Sequence, residues 1–311
     1  MYVVLGATGN TGSVAVKALL ERGEKVCAVG RDAGKLAQLF PLGESSGAGT
    51  GSGAETAVAD ATDAAALTRV FEGATAAYVL LPPRAKDPEL LASGDKMSTA
   101  ITEAIRASGI SHVVLLSSIG AQHVNKTGPI QALHTFEEKL KQVPNLNALF
   151  LRPGPFMENY LMLIPLVRSM GFLAGGIDGE MKMPLIATRD IGVAAAEALQ
   201  KRDFTGFSTR ELHGQRDLSN DEAAKAIGAA IGKPKLSYKH FPNFLIEQGM
   251  KQMGIPGKTA SLMSEMNEAA NDGRLKPLEP RSEKNTTPTA IEEWAREVFL
   301  AAYNAKAEAA G

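Results

Sequence analysis

Three glycines, Gly6, Gly9 and Gly12, stand between a β-branched run from Tyr2 to Leu5 and a segment in which Val14, Ala15, Ala18 and Leu19 recur at helical spacing. A turn without side chains lets a phosphate approach the backbone, and the N–H groups and positive dipole end of the helix behind it favour an anion. The chemistry implied is nucleotide binding, with Gly6, Thr8, Gly9, Asn10, Thr11 and Gly12 as candidate contacts. The spacing is GxxGxxG rather than GxGxxG, and the GxxxxGK[ST] phosphate loop is not matched, since Ser13 follows Gly12.

A residue about 20 positions past such a loop meets the adenosine ribose; an acid there suits a free 2′-hydroxyl and an arginine a 2′-phosphate. Arg31 holds that place, so NADP is expected in preference to NAD, through a bidentate guanidinium grip. Asp32 beside it leaves two other roles open, capping the next helix or serving a ribose. Asp60, at the end of a third apolar run, could accept from an adenine amino group or simply belong to an acidic capping turn with Thr62 as N-cap. Leu81 and Pro82-Pro83 end a fourth run in a bare apolar loop across which a cofactor can lie. Ser117 ends a fifth run, where a hydroxyl would sit beside a nicotinamide or only satisfy turn backbone.

Positioning these residues requires alternating strands and helices. Lys25 to Val29, Thr56 to Ala59, Ala76 to Leu81, His112 to Leu116 and Asn147 to Leu151 read as further strands, with helices between them, including Asp63 to Glu72 and Glu89 to Ser108. That pattern spells an α/β chain with a doubly wound parallel sheet, whose right-handed crossovers collect the candidate loops along one edge. Residues 1–155 make the nucleotide-binding domain and 156–311 a smaller, mainly helical one, from which some segments can return to the sheet. Asn159 to Met170, Asp190 to Gln200, Phe241 to Met253 and Lys258 to Asn271 read as helices, Glu211 to Gly214 as a short strand, and Thr289 starts a last helix. Gly43 to Glu55 holds no apolar residue larger than alanine and reads as a mobile surface insertion.

Composition excludes several classes. A net charge of -1 with dispersed Lys and Arg argues against direct nucleic-acid or anionic-membrane binding. The histidines at 112, 123, 134, 213 and 240 form no pair at ligand spacing, and the single Cys27 cannot build a zinc site or an internal disulfide, so no metal is expected. No apolar run reaches membrane-spanning length and no basic leader precedes the first strand, so a cytoplasmic protein is expected.

The loop Gly6 to Gly12, Gly30-Arg31-Asp32, Asp60-Ala61-Thr62-Asp63, Ser117-Ser118-Ile119-Gly120 and Leu151-Arg152-Pro153-Gly154-Pro155-Phe156-Met157-Glu158-Asn159 together resemble the NmrA-like family of atypical short-chain dehydrogenases. Ala187 to Gly192 and Leu218 to Glu222 are similar to that family's later segments. The resemblance implies an NADP-preferring Rossmann domain, contacts that extend to Ala61, Leu81, Pro82, Ser117, Pro153 and Phe156, and a smaller domain closing over the nicotinamide. Two activities are compatible with it: reduction of a quinone or similar flat acceptor by NADPH, or redox sensing through a protein partner without turnover.

Short-chain dehydrogenases that act on alcohols place a Tyr four residues before a Lys, so that the ammonium lowers the phenol's pKa. In His134-Thr135-Phe136-Glu137-Glu138-Lys139, Lys139 matches the family's lysine and Thr135 stands where the phenol would be. Alcohol chemistry is therefore not expected. A quinone, whose reduction yields a stabilised anion, needs positioning more than an acid, with Lys139 at the nicotinamide ribose and solvent or His134 as proton source.

Overall fold

The computed structural model describes residues 1–41, 53–82 and 84–308. The first half runs β1 (Tyr2–Leu5), α1 (Asn10–Glu21), β2 (Val26–Gly30), α2 (Ala33–Leu39), β3 (Glu55–Val58), α3 (Ala64–Phe71), β4 (Ala76–Val79), α4 (Leu90–Ser108), β5 (His112–Leu116), α5 (Ile130–Leu140) and β6 (Asn147–Pro153). After a 3-10 turn over Met157–Leu163 come α6 (Ile164–Ser169), β7 (Phe172–Gly175), α7 (Thr188–Lys201), β8 (Phe207–Leu212), α8 (Asn220–Ala230), β9 (Ser237–His240), α9 (Asn243–Gln252) and α10 (Gly257–Asn271). Ile291–Trp294 (α11) and Leu300–Glu308 (α12) close the chain on either side of a π turn.

Seven strands form one parallel sheet in the order β3-β2-β1-β4-β5-β6-β8. Its central strands are buried on both faces, which is why Val3, Val4, Ala77, Val79, Val113 and Val114 make near-continuous apolar runs instead of alternating. One face packs on α1 and α7, through Val16, Leu19, Ile191 and Leu199. The other packs on α3, α4 and α5, through Leu67, Phe71, Ile101, Ile105, Phe136 and Leu140. The strand order reverses between β1 and β4, so the crevice at the carboxyl edge lies directly above the glycine loop.

The chain leaves the sheet after Pro153, close to the expected division at 155, but α7 and β8 return to it. Gly192 of α7 lies so close to Thr11 and Val14 of α1 that a Cβ there would meet both, and β8 pairs with β6 in the register Arg152↔Glu211. The remaining segments build a separate core of Met157, Ile164, Val167, Leu173, Ile227, Trp294 and Phe299, with β7 and β9 as its own two-stranded parallel sheet. Glu158 joins the two: its carboxylate accepts from the Thr188 N–H at the start of α7 at 3.0 Å and from the Trp294 indole at 3.1 Å.

Four local readings need correction. The N-cap of α3 is Asp63, which accepts from the Ala66 N–H at 2.9 Å, and not Thr62, whose hydroxyl turns back to Asp60. The helix expected from Asn159 to Met170 is a 3-10 turn followed by α6, because Pro165 has no N–H to continue an earlier helix and fits only in a first turn. The short strand expected at Glu211 to Gly214 is the longer β8, whose first four residues, Phe207 to Arg210, are exposed or half-buried and carry no apolar alternation. Residues 43–52 lie outside the described residues, but the end of that stretch is not surface: Ala54 is buried in the main core and Glu55 opens β3.

Candidate functional site

The turn after β1 is built by its glycines. Gly6 has φ 66°, the left-handed region that favours glycine, and its carbonyl accepts from the Gly9 N–H at 2.8 Å. A Cβ on Gly12 would fall on that same Gly6 carbonyl, so only glycine lets α1 start this close to the strand. Gly9 is the N-cap and offers no side chain to cap with. Ser13 is the first residue of α1 to find a backbone acceptor, on Gly9 at 3.0 Å; among the described residues none is present for the N–H groups of Thr8, Asn10, Thr11 and Gly12. Four convergent donors and a positive helix end form an anion cradle. The Thr11 hydroxyl is not part of it: it faces inward and accepts from the buried Tyr78 hydroxyl at 3.0 Å, pinning α1 to β4. Thr8 lies over Gly30, where a Cβ would come within 3.3 Å of its methyl group.

Arg31 is exposed directly after β2, whereas Asp32 caps α2 by accepting from the Lys35 N–H at 3.0 Å. Of the open roles for Asp32, the structure shows the capping one. Asp60, after β3, accepts from the Thr62 hydroxyl at 2.7 Å and the Thr62 N–H at 2.8 Å. Those bonds hold its carboxyl below the usual carboxylate range, and the charges of Arg84 and Arg31 act in the same direction. Ala61 is buried beside it, Leu81 faces α4 near Gly94, and Pro82 is half-buried at the loop.

At the β5–β6 end the polar groups are already engaged. The Ser117 hydroxyl donates to Glu137 at 2.6 Å, and Arg152 holds the same carboxylate through Nε at 2.9 Å and through a terminal nitrogen at 2.5 Å. Ser117 and Glu137 are buried, and Arg152 is only 8% exposed. Nothing about Glu137 or Arg152 was read as a pair from the sequence. The signal was present: Glu137 lies on the apolar stripe of Leu133, Phe136 and Leu140, and Arg152 ends an otherwise apolar strand, and two opposite charges at core positions imply each other. The Pro153 carbonyl accepts from the Ile119 N–H, and Phe156 bridges to Ile186.

On α5, Thr135 donates to the Gln131 carbonyl at 3.1 Å within its own helix. His134 Nδ1 lies 2.8 Å from the Ala121 carbonyl, so Nδ1 carries the proton and Nε2 is the free acceptor of the neutral ring. Lys139 is engaged within the protein. Its ammonium donates to Asp95 Oδ1 at 2.7 Å and to the Asp95 carbonyl, Ser98 and Thr99 at 2.9, 3.0 and 2.6 Å. Three protons meet four acceptors on α4. The cause is helical phase, because Phe136, Glu137 and Leu140 take the sheet-facing side of α5 and turn residue 139 toward α4. A cavity of about 130 Å³ lies in this groove, lined by Leu91, Asp95, Val124, Gln131, Ala132 and Thr135.

The loops after β4 and β5 are covered by α10. Glu265 accepts from the Gly128 N–H and the Gln131 amide, both at 2.9 Å, Lys258 pairs with Glu89 at 2.5 Å, and Thr259 donates to the Asp87 carbonyl. Among the described residues no cluster of His, Cys, Asp and Glu could hold a metal, and no helix is long and apolar enough to cross a membrane.

A glycine loop at the switch point of this strand order defines a Rossmann-type fold. The profile of the NmrA-like family matches residues 2–295, and the chain belongs to that family. It is 30% identical to an NAD(P)H azoreductase of Xenophilus azovorans over 268 residues, 86% of each chain. Its fold is that of an NADPH-dependent quinone oxidoreductase of Escherichia coli solved with NADPH, with a TM-score of 0.77 at 21% identity over 96% of this chain and all of that one. A triphenylmethane reductase of Citrobacter solved with NADP(H) gives a TM-score of 0.77 at 17% identity, covering 96% and 99% of the two chains.

Proposed function

We propose that this chain is an NAD(P)H-dependent oxidoreductase that prefers NADPH and reduces a flat conjugated acceptor, a quinone or an azo compound. The observation that carries the reading is the set of four unpaired N–H groups on Thr8, Asn10, Thr11 and Gly12. A Cβ at Gly12 would displace the Gly6 carbonyl and close the cradle, so the residues present fit a dinucleotide pyrophosphate. Arg31 would meet a phosphate on the adenosine ribose, and Leu81, Pro82, Pro153 and Phe156 would bound the groove. The family and the 30% identity to an azoreductase support reductase chemistry over simple nucleotide storage.

When bound, NADPH supplies a hydride from its nicotinamide ring. The protein's own part is to orient and to exclude water. The Ser117 hydroxyl donates its hydrogen bond to Glu137 and can only accept from a ligand, and Lys139 is engaged on α4, so neither serves as an acid toward an alkoxide. An acceptor whose reduced form is a stabilised anion takes its proton from solvent or from the imidazolium form of His134. Steady NADPH oxidation with a panel of quinones and azo dyes tests the proposal. Turnover that falls at least about tenfold in Arg31→Glu supports it, because that change replaces a charge-assisted contact by a repulsion. Tight dinucleotide binding with no turnover on any acceptor would overturn it in favour of a redox sensor.

A further inference from the structure

Arg84 has no assigned role, and its surroundings give it one. It follows β4 in the loop that leads to α4, at the carboxyl edge of the sheet where Arg31 follows β2 and Asp60 follows β3. Its Nε is shielded from solvent and makes no hydrogen bond among the described residues. A buried donor without an acceptor is costly and calls for a polar group that completes it.

The acids of this corner are not that group. Asp60 Oδ1 is taken by Thr62, Asp32 by the Lys35 N–H, Asp87 by the Glu89 N–H at 2.9 Å, and Glu89 by Lys258. Both arginine charges nevertheless reach Asp60, since each helps to hold its carboxyl low. Two guanidiniums therefore stand at one end of the sheet, the Arg84 charge also acts on Asp87, and among the described residues no carboxylate completes the Arg84 Nε. A doubly charged phosphate monoester matches that pair in charge and in acceptor geometry.

We infer that Arg84 is a second phosphate-reading residue, closing with Arg31 on the 2′-phosphate of the adenosine ribose and setting the preference for NADP(H) over NAD(H). The inference rests on the dinucleotide reading proposed above and assigns it a determinant in the β4–α4 loop, away from the β2 end where such an arginine is ordinarily sought.

Equilibrium titration of the full chain with NADP⁺, NAD⁺, adenosine 2′,5′-bisphosphate and 5′-AMP decides it. Arg84→Gln should weaken NADP⁺ and the bisphosphate at least about tenfold, the size of one lost charge-assisted bond, and leave NAD⁺ and 5′-AMP within about twofold. Arg84→Lys, which keeps the charge and stem but not the fork, should fall between and serves alone if the glutamine variant does not fold. Equal losses for NADP⁺ and NAD⁺, or no loss for either, overturn the inference and leave the dinucleotide reading standing. A wild-type chain that binds neither dinucleotide overturns both.

Discussion

The two ends of the carboxyl-edge crevice are built on opposite principles. Over β1 to β4 the donors are left open: among the described residues four backbone N–H groups and the Arg84 Nε lack acceptors, and the Arg31 guanidinium stands exposed. Over β5 and β6 most polar groups are closed on protein partners, Ser117 and Arg152 on Glu137, Thr135 on Gln131 and Lys139 on α4. Open donors bind an anion without rearrangement, whereas committed ones fix the shape of a surface and contribute little proton transfer. The contrast suits a protein that grips its dinucleotide strongly and asks of its second substrate mainly that it lie flat.

The largest effect is expected on the closed side. Glu137→Ala leaves the Arg152 guanidinium buried and unpaired, which should lower unfolding free energy by about 3–5 kcal/mol. Urea denaturation measures it. Replacing both partners, as Glu137→Met with Arg152→Met, should recover most of the loss, because a buried pair is often exchangeable for apolar residues of similar volume. A single mutant with wild-type stability would break the comparison by showing that the pair is not committed as described.

The open side should fail by binding instead. Gly12→Ala puts a methyl group onto the Gly6 carbonyl, so the turn must shift and the N–H groups lose their convergence. Overpacking of this kind costs about 1–3 kcal/mol, and spread over the cradle it should weaken dinucleotide affinity by about 100-fold with the fold retained. Isothermal titration beside a thermal melt separates the two effects. Equal dinucleotide affinity in wild type and variant would show that the loop is not the anion site.

What was legible in the sequence follows the same division. The glycine spacing reports a backbone event, a left-handed turn and a bare helix start, and backbone events are written in residue type; the parallel, doubly wound character of the sheet, though not its strand order, followed from strand–helix alternation. The β5–β6 end depends on which way each side chain of α5 faces. His134, Thr135 and Lys139 stand out by type, yet Glu137 holds the inward position, and only the phase of the apolar stripe reveals it. β7 and β9 were illegible because four-residue strands such as Ser237–His240, mostly exposed, lack an alternating pattern. Ser219 and Glu222 form a complete capping box at the start of α8, whereas at α3 Asp63 displaced the expected Thr62, since Thr62 was already bound to Asp60.

The smallest effect sharpens the contrast most, because two readings of one residue disagree there. If Lys139 held the nicotinamide ribose, Lys139→Met would remove a contact to the cofactor and lower turnover by about tenfold or more. In the structure the ammonium pins α5 to α4 through Asp95, Ser98 and Thr99, with the Asp95 side chain 61% exposed. An ion pair open to solvent on one side is worth about 0–1 kcal/mol, so the variant should lose no more than that in stability. The KM for NADPH and the kcat should both stay within about threefold of wild type, since less than 1 kcal/mol is at stake. Steady-state kinetics beside a denaturation curve reads both quantities on one preparation. A kcat that collapses while stability holds would return Lys139 to the nicotinamide and make the closed end of the crevice a catalytic one.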